Sequence, residues 1–192
     1  MNESKLAGRL EFLREAERLK SVLRSGFTST GRPESTAEHS WRLALMALVF
    51  ADELAGLDIA RVLKLCIVHD LGEAIHGDIP AIHQHAHPGK SAQEREDLHT
   101  LTRDLDSPVR EEIVALWDEY EAAATPEAQA VKAFDKLETI LQHNQGDNPP
   151  DFDYAFNLGY GRKHTATAPL FERLREMLDA ETSERHRAAP PK

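Results

Sequence analysis

The sequence has few of the features that stabilise secreted proteins or span membranes. Among its 192 residues there is one cysteine, Cys66, so the chain forms no internal disulfide bond and fits a reducing compartment. The longest apolar run, residues 43–51, is too short to cross a bilayer. The start, MNESKLAGRLEF, lacks the apolar core of a signal peptide. We therefore expect a cytoplasmic protein without a membrane partner.

Positive charge is also scarce. Lysine and arginine total 23 residues against 33 aspartates and glutamates, which gives a formal net charge of -10. A chain this acidic repels the phosphate backbone of nucleic acids and the surface of anionic membranes, so we expect no nucleic-acid polymer as a partner. A small phosphorylated substrate remains compatible with this charge, because one bound metal ion reverses the local field.

The alternation of apolar and polar residues that is typical of β-strands is missing as well, and the apolar spacing is helical almost throughout. Leucines and a valine recur at three- and four-residue steps over residues 6–23, which predicts a first helix that ends at Gly26. The sequence STAE has a capping-box pattern, with Ser35 as N-cap of a second, strongly apolar helix. Asp58 is placed to cap a third helix.

Further helix starts follow from cap residues. SAQE predicts a helix that opens at Ser91, and Ser107 and Thr125 are each followed by proline, the favoured first residue of a helix. The polar, proline-bearing end, residues 181–192, predicts a disordered tail after the last helix. We therefore expect one all-α domain, a helical bundle of residues 1–180.

Titratable residues cluster at the end of the third predicted helix, in HDLGEAIHGDIP. His69 and Asp70 are adjacent and Glu73 follows within one turn, so a helix places all three on one face. A buried carboxylate is costly unless it is paired or bound to a metal ion. A histidine–aspartate hydrogen bond at a helix end is the alternative for this pair alone.

Two more residues extend this cluster to a candidate metal site. His39 lies near the start of an apolar helix, in AEHSWR, and Asp135 lies inside another, in KAFDKLE. Each of them alone is typical of an ordinary helix residue. With His69 and Asp70 they give two imidazoles and two carboxylates, a ligand set suited to Mn²⁺, Co²⁺, Fe²⁺, Mg²⁺ or Zn²⁺ with positions left for water and substrate.

The motifs RPESTAEHSWR, HDLGEAIHGDIP and KAFDKLE, in this order, make the chain resemble an HD-domain metal-dependent phosphohydrolase of the 5′-deoxynucleotidase branch. The likeness covers most of the chain. The resemblance implies that the metal ligands are His39, His69, Asp70 and Asp135. It also implies that the protein forms a homodimer.

The same resemblance implies roles for residues around the metal. Glu73 matches the acidic residue that positions or activates the attacking water, and Asp78 matches a carboxylate near the sugar or the water network. Arg24 lies where the family has an arginine that meets the phosphate. The bacterial members follow this arginine with tryptophan, whereas here it is followed by Ser25, with Phe27 the nearest aromatic residue. This departure leaves the choice between ribose and deoxyribose open.

Other polar residues have weaker claims. Lys136, beside Asp135, is either a phosphate contact or a solvated lysine on a helix face, and Arg32 is a further candidate for the phosphate. Glu38 is explained by its capping box, and His76 is expected at a half-exposed helix end.

Two sets of residues are expected to be structural. The histidines of AIHQHAHPGK resemble a metal tract but lack carboxylate partners at matching spacing, which favours an exposed loop; they are His83, His85 and His87. Trp41 and Trp117 are expected in the core or at an interface.

These residues together predict a metal-dependent phosphomonoesterase that converts (deoxy)nucleoside 5′-monophosphates to nucleoside and phosphate. One alternative is another HD-type activity, a phosphodiesterase or a triphosphohydrolase. The sequence shows the ligands of a single metal ion, which favours the monoesterase. The other alternative is a non-catalytic sensor of metal or nucleotide, which would not need Glu73, Asp78 or Arg24.

Overall fold

Helices make up nearly all of the regular structure in the computed structural model, which describes residues 2–189. In chain order, the α-helices of this part of the chain are α1 Glu3–Ala16, α2 Thr36–Val49, α3 Ile59–Val68, α4 Glu73–His76, α5 Lys90–Leu101, α6 Ser107–Ala122, α7 Pro126–Gln145, α8 Tyr154–Gly159, α9 Arg162–Thr165 and α10 Pro169–Ala188. Short 3₁₀ turns cover Glu17–Lys20, Ala51–Glu53 and Ala81–Ala86. The predicted all-α, single-domain fold is confirmed.

Three predicted N-caps form as the sequence indicates. Ser35 Oγ accepts the N–H of Glu38 at 3.3 Å, and the Glu38 carboxylate accepts the N–H of Ser35 at 2.9 Å, which completes the capping box. The side chains of Asp58 and Thr125 each accept the backbone N–H three residues further on, at 3.1 Å. These bonds satisfy N–H groups that the first turn of a helix leaves without a partner.

Two other predicted starts are displaced by one or two residues, as helix ends commonly are. The helix α5 begins at Lys90, and the hydroxyl of Ser91 donates to Glu121 at 2.8 Å instead of capping the helix. The helix α6 begins at Ser107, and Asp106 occupies its N-cap position.

A short β-hairpin corrects the expectation that the chain has no strands. The strand β1, Leu23–Phe27, pairs antiparallel with β2, Pro33–Ser35. Gly26 therefore lies within β1 and does not end the first helix, which stops at Ala16. Strands this short show no visible alternation in a sequence. The hairpin lies against α7, since a side-chain carbon on Gly26 would be 3.2 Å from the ring of His143.

The core is built around α7, which packs against α2, α3 and α10. The largest fully buried side chains include Phe134 of α7, Leu43 of α2 and Leu65 of α3. Trp117 is in the core as expected, whereas Trp41 is 65% exposed. No helix within residues 2–189 combines the length and the apolar character that crossing a membrane requires.

The C-terminal helix shows that the predicted tail is wrong for residues 181–188, which continue α10. Thr182 is fully buried, and its hydroxyl hydrogen-bonds to Asn144 Oδ1 of α7 at 2.8 Å. Polar composition concealed this contact, because the residue that anchors the helix and its partner are both polar. Residues 190–192 of the predicted tail lie outside the described part of the chain.

Candidate active site

The chain turns between α3 and α4, and this turn carries three of the predicted site residues. The helix α3 ends at Val68, His69 occupies its C-cap and Glu73 begins α4. The expectation that one continuous helix carries His69, Asp70 and Glu73 is therefore wrong. The backbone between α3 and α4 turns more tightly than an α-helix. The N–H of Glu73 donates to the carbonyl of Asp70, three residues earlier, at 3.0 Å. All three side chains still line one cavity.

Close packing against α5 holds this turn in place. A side-chain carbon on Gly72 would lie 2.6 Å from the carbonyl oxygen of Glu94, so only glycine allows the approach. The turn and α5 are thereby fixed relative to each other, and α5 also contributes Lys90 to the cavity wall.

The four predicted metal ligands converge from α2, α7 and the turn after α3. His39 Nε2 lies 3.2 Å from Asp135 Oδ1 and 3.9 Å from Asp70 Oδ2. His69 Nε2 lies 3.1 Å from Asp70 Oδ2. Donor atoms of His39, His69 and Asp70 are all within 4.8 Å of one another. These three residues are therefore close enough to hold one metal ion, and Asp135 Oδ1 lies beside His39 Nε2 at the same cluster.

Each imidazole also makes a hydrogen bond through Nδ1, on the side away from the cluster. His39 Nδ1 donates to the carboxylate of Glu138. His69 Nδ1 donates to the main-chain carbonyl of Cys66 at 2.9 Å. Both acceptors are oxygens without a hydrogen to give, so Nδ1 keeps its hydrogen and Nε2 is the atom that a metal ion would meet. Burial opposes the charged form of His39, but Glu138 and Asp135 raise its pKa to about 10, so a metal ion would displace the Nε2 proton of this ring. Both Nε2 atoms are buried and have no hydrogen-bond partner of acceptable geometry, and the donor set therefore fits a divalent cation.

Asp135 is held so that one of its oxygens faces the cluster. Its Oδ2 accepts hydrogen bonds from the hydroxyl of Tyr120 at 2.8 Å and from the ammonium of Lys136 at 2.7 Å. Its Oδ1 faces His39. Burial disfavours the charged form, but Lys136 and His39 hold the pKa of Asp135 well below its usual value. Asp135 is therefore a carboxylate at neutral pH.

Asp70 is the second carboxylate of the cluster, and Arg24 lies beside it. Burial opposes its ionisation, but His69 and Arg24 hold the pKa of Asp70 below its usual value. Arg24 Nη1 lies 3.4 Å from Asp70 Oδ2, and Arg24 Nη2 donates to Thr139 at 3.2 Å. Arg24 belongs to β1, so the strand that the sequence did not predict positions the predicted phosphate-binding arginine.

Glu73 is buried beside the cluster, with 4% of its surface exposed. Its Oε2 accepts a hydrogen bond from the hydroxyl of Thr36 at 3.3 Å, and its Oε1 lies 3.4 Å from Lys90 Nζ. Burial, together with the charges of Asp70 and Asp78, raises the pKa of Glu73 to about 9. A carboxyl group with a raised pKa in a cleft is typical of general acid–base catalysis.

A cavity of about 610 Å³ opens over the cluster, a volume typical of small-molecule sites. Among the predicted site residues, those that line it are Arg24, His69, Asp70, Glu73, Asp78, Asp135 and Lys136. The remaining one, His39, is fully buried and reaches the cluster through Nε2. The structure therefore brings together all the residues that the sequence singled out for the site.

Another part of the cavity wall is aromatic. It contains Phe27, Phe152, Phe156 and Tyr160, and Ser25 lies there too. The rings of Phe156 and Tyr160 are stacked with centroids 5.5 Å apart. Aromatic rings offer a surface on which a flat heterocycle packs, whereas the metal-ligand cluster and Arg24 suit an anion. The cavity thus offers an aromatic surface as well as charged groups.

The residues with weaker claims have structural partners. Glu38 pairs with Arg32 at 2.5 Å in addition to its capping role, and neither residue lines the cavity. The exposed side chain of His76 ends α4 and contacts Asp97 through Nδ1 at 2.7 Å. The histidine-rich segment is exposed as expected, although His87 reaches the cavity wall.

Four residues that contact the cluster or Glu73 were missed by the sequence analysis. Thr36 and Glu138 lie within the quoted motifs, and a carboxylate one helical turn after Asp135 on an apolar helix was a visible signal for Glu138. Lys90 and Tyr120 approach from α5 and α6, through contacts between distant parts of the chain that no local pattern indicates.

The fold and the donor set together define a class, an all-helical metal-binding domain with a substrate-sized cavity. The family model described as HD domain matches residues 16–175, and the chain belongs to the HD domain family.

Individual relatives and structures agree with this family. The chain is similar to 5′-deoxynucleotidase HDDC2 of Mus musculus, with 38% identity over 141 residues that cover 72% of this chain and 70% of that protein. Its identity to 5′-deoxynucleotidase HDDC2 of Dictyostelium discoideum is 33% over 187 residues, which cover 90% and 97% of the two chains. A solved structure described as a predicted metal-dependent phosphohydrolase, from Magnetospirillum magnetotacticum MS-1, matches with a TM-score of 0.77 and 29% identity over 96% of each chain. The resemblance seen in the sequence is confirmed.

Proposed function

We propose that this protein is a metal-dependent phosphomonoesterase that hydrolyses nucleoside 5′-monophosphates, deoxynucleotides among them, to nucleoside and phosphate. The observation that carries the proposal is the convergence of two imidazole Nε2 atoms and two carboxylates at a cavity that also contains Arg24 and Glu73. The relatives named 5′-deoxynucleotidase support the substrate class.

The metal would be held by His39 and His69 through Nε2 and by Asp70 and Asp135 through one oxygen each. When bound, a divalent cation supplies Lewis-acid stabilisation of the phosphoryl oxygens and a water molecule of lowered pKa. Imidazole and carboxylate ligands together suit Mn²⁺, Co²⁺, Fe²⁺, Mg²⁺ or Zn²⁺.

Glu73 orients the attacking water and accepts its proton. Thr36 and Lys90 hold one oxygen of Glu73 each, so the carboxylate keeps a single orientation. After burial, the charge of Asp70 is the next cause of the raised pKa of Glu73. A cation bound to Asp70 would offset the charge of Asp70 and so lower the pKa of Glu73. Glu73 would then be ionised, as a group that accepts a proton must be.

The substrate is bound by the cations and polar groups of the cavity wall. Arg24 neutralises a phosphate oxygen with the planar geometry that suits phosphate. Lys136, whose ammonium lies 2.7 Å from Asp135 Oδ2, is a second phosphate contact. Asp78 accepts a hydrogen bond from the sugar, and Ser25 and Phe27 form the part of the wall where sugar choice is decided.

Other HD-type activities fit less well. A phosphodiesterase or triphosphohydrolase with two metals needs a second ligand set. Within the described residues, the other group with suitable donors is Glu34, His39 and Glu138. It shares His39 with the first site, and its carboxylates already face Arg24 and Arg42. One metal and a monoester are therefore favoured, and Glu73 in the cavity argues against a non-catalytic sensor.

The test is phosphate release from a panel of ribo- and deoxyribonucleoside 5′-monophosphates. The protein is stripped of metal and assayed alone and with each of the five ions, beside Asp70→Ala. We expect metal-restored release that the variant lacks, and the panel gives the sugar and base preference. A folded, metal-binding protein that releases no phosphate with any ion would contradict the proposal and favour the sensor alternative.

We also propose that the protein works as a cytoplasmic homodimer. One face of α2 exposes large apolar side chains spaced by one or two turns, Trp41, Leu45 and Leu48, and a second copy of the chain is the partner that would cover them. Analytical ultracentrifugation tests this proposal, with Trp41→Ser and Leu48→Glu expected to give monomers. A wild type that sediments as a monomer would contradict it.

The single, buried Cys66 supports a reducing compartment.

A further inference from the structure

A buried carboxylate behind the metal-ligand cluster has no part in the chemistry proposed above. Glu138 lies on α7, one turn after Asp135, and is 0% exposed. Its Oε2 accepts the hydrogen bond from His39 Nδ1, and its Oε1 accepts one from Arg42 Nε at 2.6 Å. One oxygen of Glu138 thus accepts from a predicted metal ligand, His39, and the other accepts from Arg42.

Both oxygens of Glu138 have partners despite its burial. A buried carboxylate is costly unless its lone pairs have partners. Arg42 supplies the opposite charge and is itself held by Gln145, which accepts from Arg42 Nη1 at 3.1 Å. Both oxygens of Glu138 therefore accept hydrogen bonds, one from His39 and one from Arg42.

We propose that Glu138 is a positioning residue that determines which nitrogen of His39 meets the metal. A carboxylate at Nδ1 requires the hydrogen on that atom, which leaves Nε2 as the one lone pair of the neutral ring. Nε2 is also the atom that lies 3.2 Å from Asp135 Oδ1. Carboxylate–histidine–metal pairs fix the ring orientation and raise the basicity of the ligand. The inference rests on the proposed function only in requiring a metal ion at this cluster.

The chain offers a matched control for this role. Glu34 is also buried, and its carboxylate oxygen lies within 4.8 Å of the donor atoms of His39 and Glu138. It faces Arg24, with Oε2 3.7 Å from Arg24 Nε, whereas the Nδ1 hydrogen of His39 goes to Glu138. Removing the charge of Glu34 changes the field around His39 and leaves the Nδ1 acceptor in place.

The test compares Glu138→Gln with Glu34→Gln by titration of Mn²⁺ or Zn²⁺ against a competing chelator. Glutamine keeps the size of glutamate, but it loses the charge and can turn an N–H towards Nδ1, which moves the imidazole hydrogen to Nε2. We expect Glu138→Gln to bind the metal about 10- to 100-fold more weakly and Glu34→Gln to bind it like the wild type. Wild-type affinity in Glu138→Gln, or equal losses in both variants, would overturn the proposal.

A measurement on the unsubstituted protein covers the case in which Glu138→Gln does not fold. The ¹⁵N NMR spectrum of the Zn²⁺-loaded wild type is expected to show the His39 proton on Nδ1, and a proton on Nε2 would overturn the proposal. Loaded protein with the expected tautomer but without phosphate release would contradict the proposed function and support this inference. A failure of the proposed function can therefore be distinguished from a failure of the inference about Glu138.

Discussion

The metal-ligand side of the cavity and the side that faces the substrate are built in different ways. His39 and Asp135 lie on α2 and α7, inside the shared core, and each is held from behind by a buried partner, Glu138 or Tyr120. Asp78, in contrast, follows α4 in a loop, and the aromatic wall comes from β1, α8 and the segments around α8. The positions of His39 and Asp135 are therefore a property of the core, whereas the proposed substrate-binding residues lie mostly in a loop, the hairpin and the segments around α8.

The largest expected effect separates turnover from metal binding. Glu73→Gln removes the proposed proton acceptor and keeps the shape of the side chain. We expect kcat to fall by about 10²- to 10⁴-fold, with metal affinity unchanged, since the four ligands remain. Phosphate-release kinetics and a metal titration on the same preparation check this prediction. A variant with wild-type kcat would show that another group accepts the proton.

A smaller effect is expected at Arg24, which lines the cavity and contacts Asp70 of the metal-ligand cluster. Arg24→Gln loses the proposed phosphate contact, and a hydrogen bond to a charged group contributes about 1.5–3 kcal/mol. We therefore expect kcat/KM to fall by roughly 10- to 100-fold. Arg32→Gln is the matched control, because Arg32 pairs with Glu38 outside the cavity. Equal losses in the two arginine variants would show that general surface charge, not phosphate contact, is responsible.

Lys90→Met tests how Glu73 is held. Lys90 Nζ lies 3.4 Å from Glu73 Oε1, and loss of this contact lets the carboxylate turn. We expect kcat to fall by about tenfold, less than the effect of a displaced catalytic group. Lys64→Met removes an exposed lysine that pairs with Glu112 and is expected to leave kcat unchanged. If Lys90→Met also keeps the wild-type kcat, Thr36 alone is sufficient to orient Glu73.

The smallest expected effect concerns stability without metal. The pKa of Glu73 is raised from 4.5 to about 9 by burial and by its acidic neighbours. A carboxyl group of this kind favours the folded state less and less as pH rises from the lower value to the higher one. Glu34, whose pKa burial and Glu138 raise to about 7, acts in the same direction. Chelator-treated wild type is therefore expected to be less stable at pH 8 than at pH 5.

Urea unfolding of chelator-treated Glu73→Gln at the same two pH values completes this prediction. The variant cannot ionise at this position, so its loss of stability between pH 5 and pH 8 is expected to be smaller than that of the wild type. Glu112→Gln, at an exposed ion pair, serves as the control. An equal loss in wild type and Glu73→Gln would contradict the burial argument.

The sequence predicted the helices that carry His39 and Asp135 well, because local rules determine them. Apolar spacing and cap residues defined α2 and α7, and the motifs identified His39 and Asp135. The β-hairpin and the end of α10 escaped prediction, since tertiary contacts at Gly26 and Thr182 stabilise them. Lys90 escaped for the same reason, because nothing near it in the sequence indicates that α5 reaches Glu73.

The measurement that tests this division of roles most directly is a side-by-side metal titration of Asp135→Asn and Glu73→Gln, with kcat determined for both. We predict that Asp135→Asn loses metal affinity by more than about 100-fold, beyond the effect of removing a supporting residue, and that Glu73→Gln keeps its affinity while losing turnover. Undiminished affinity in Asp135→Asn, or an equal loss of affinity in Glu73→Gln, would contradict the account.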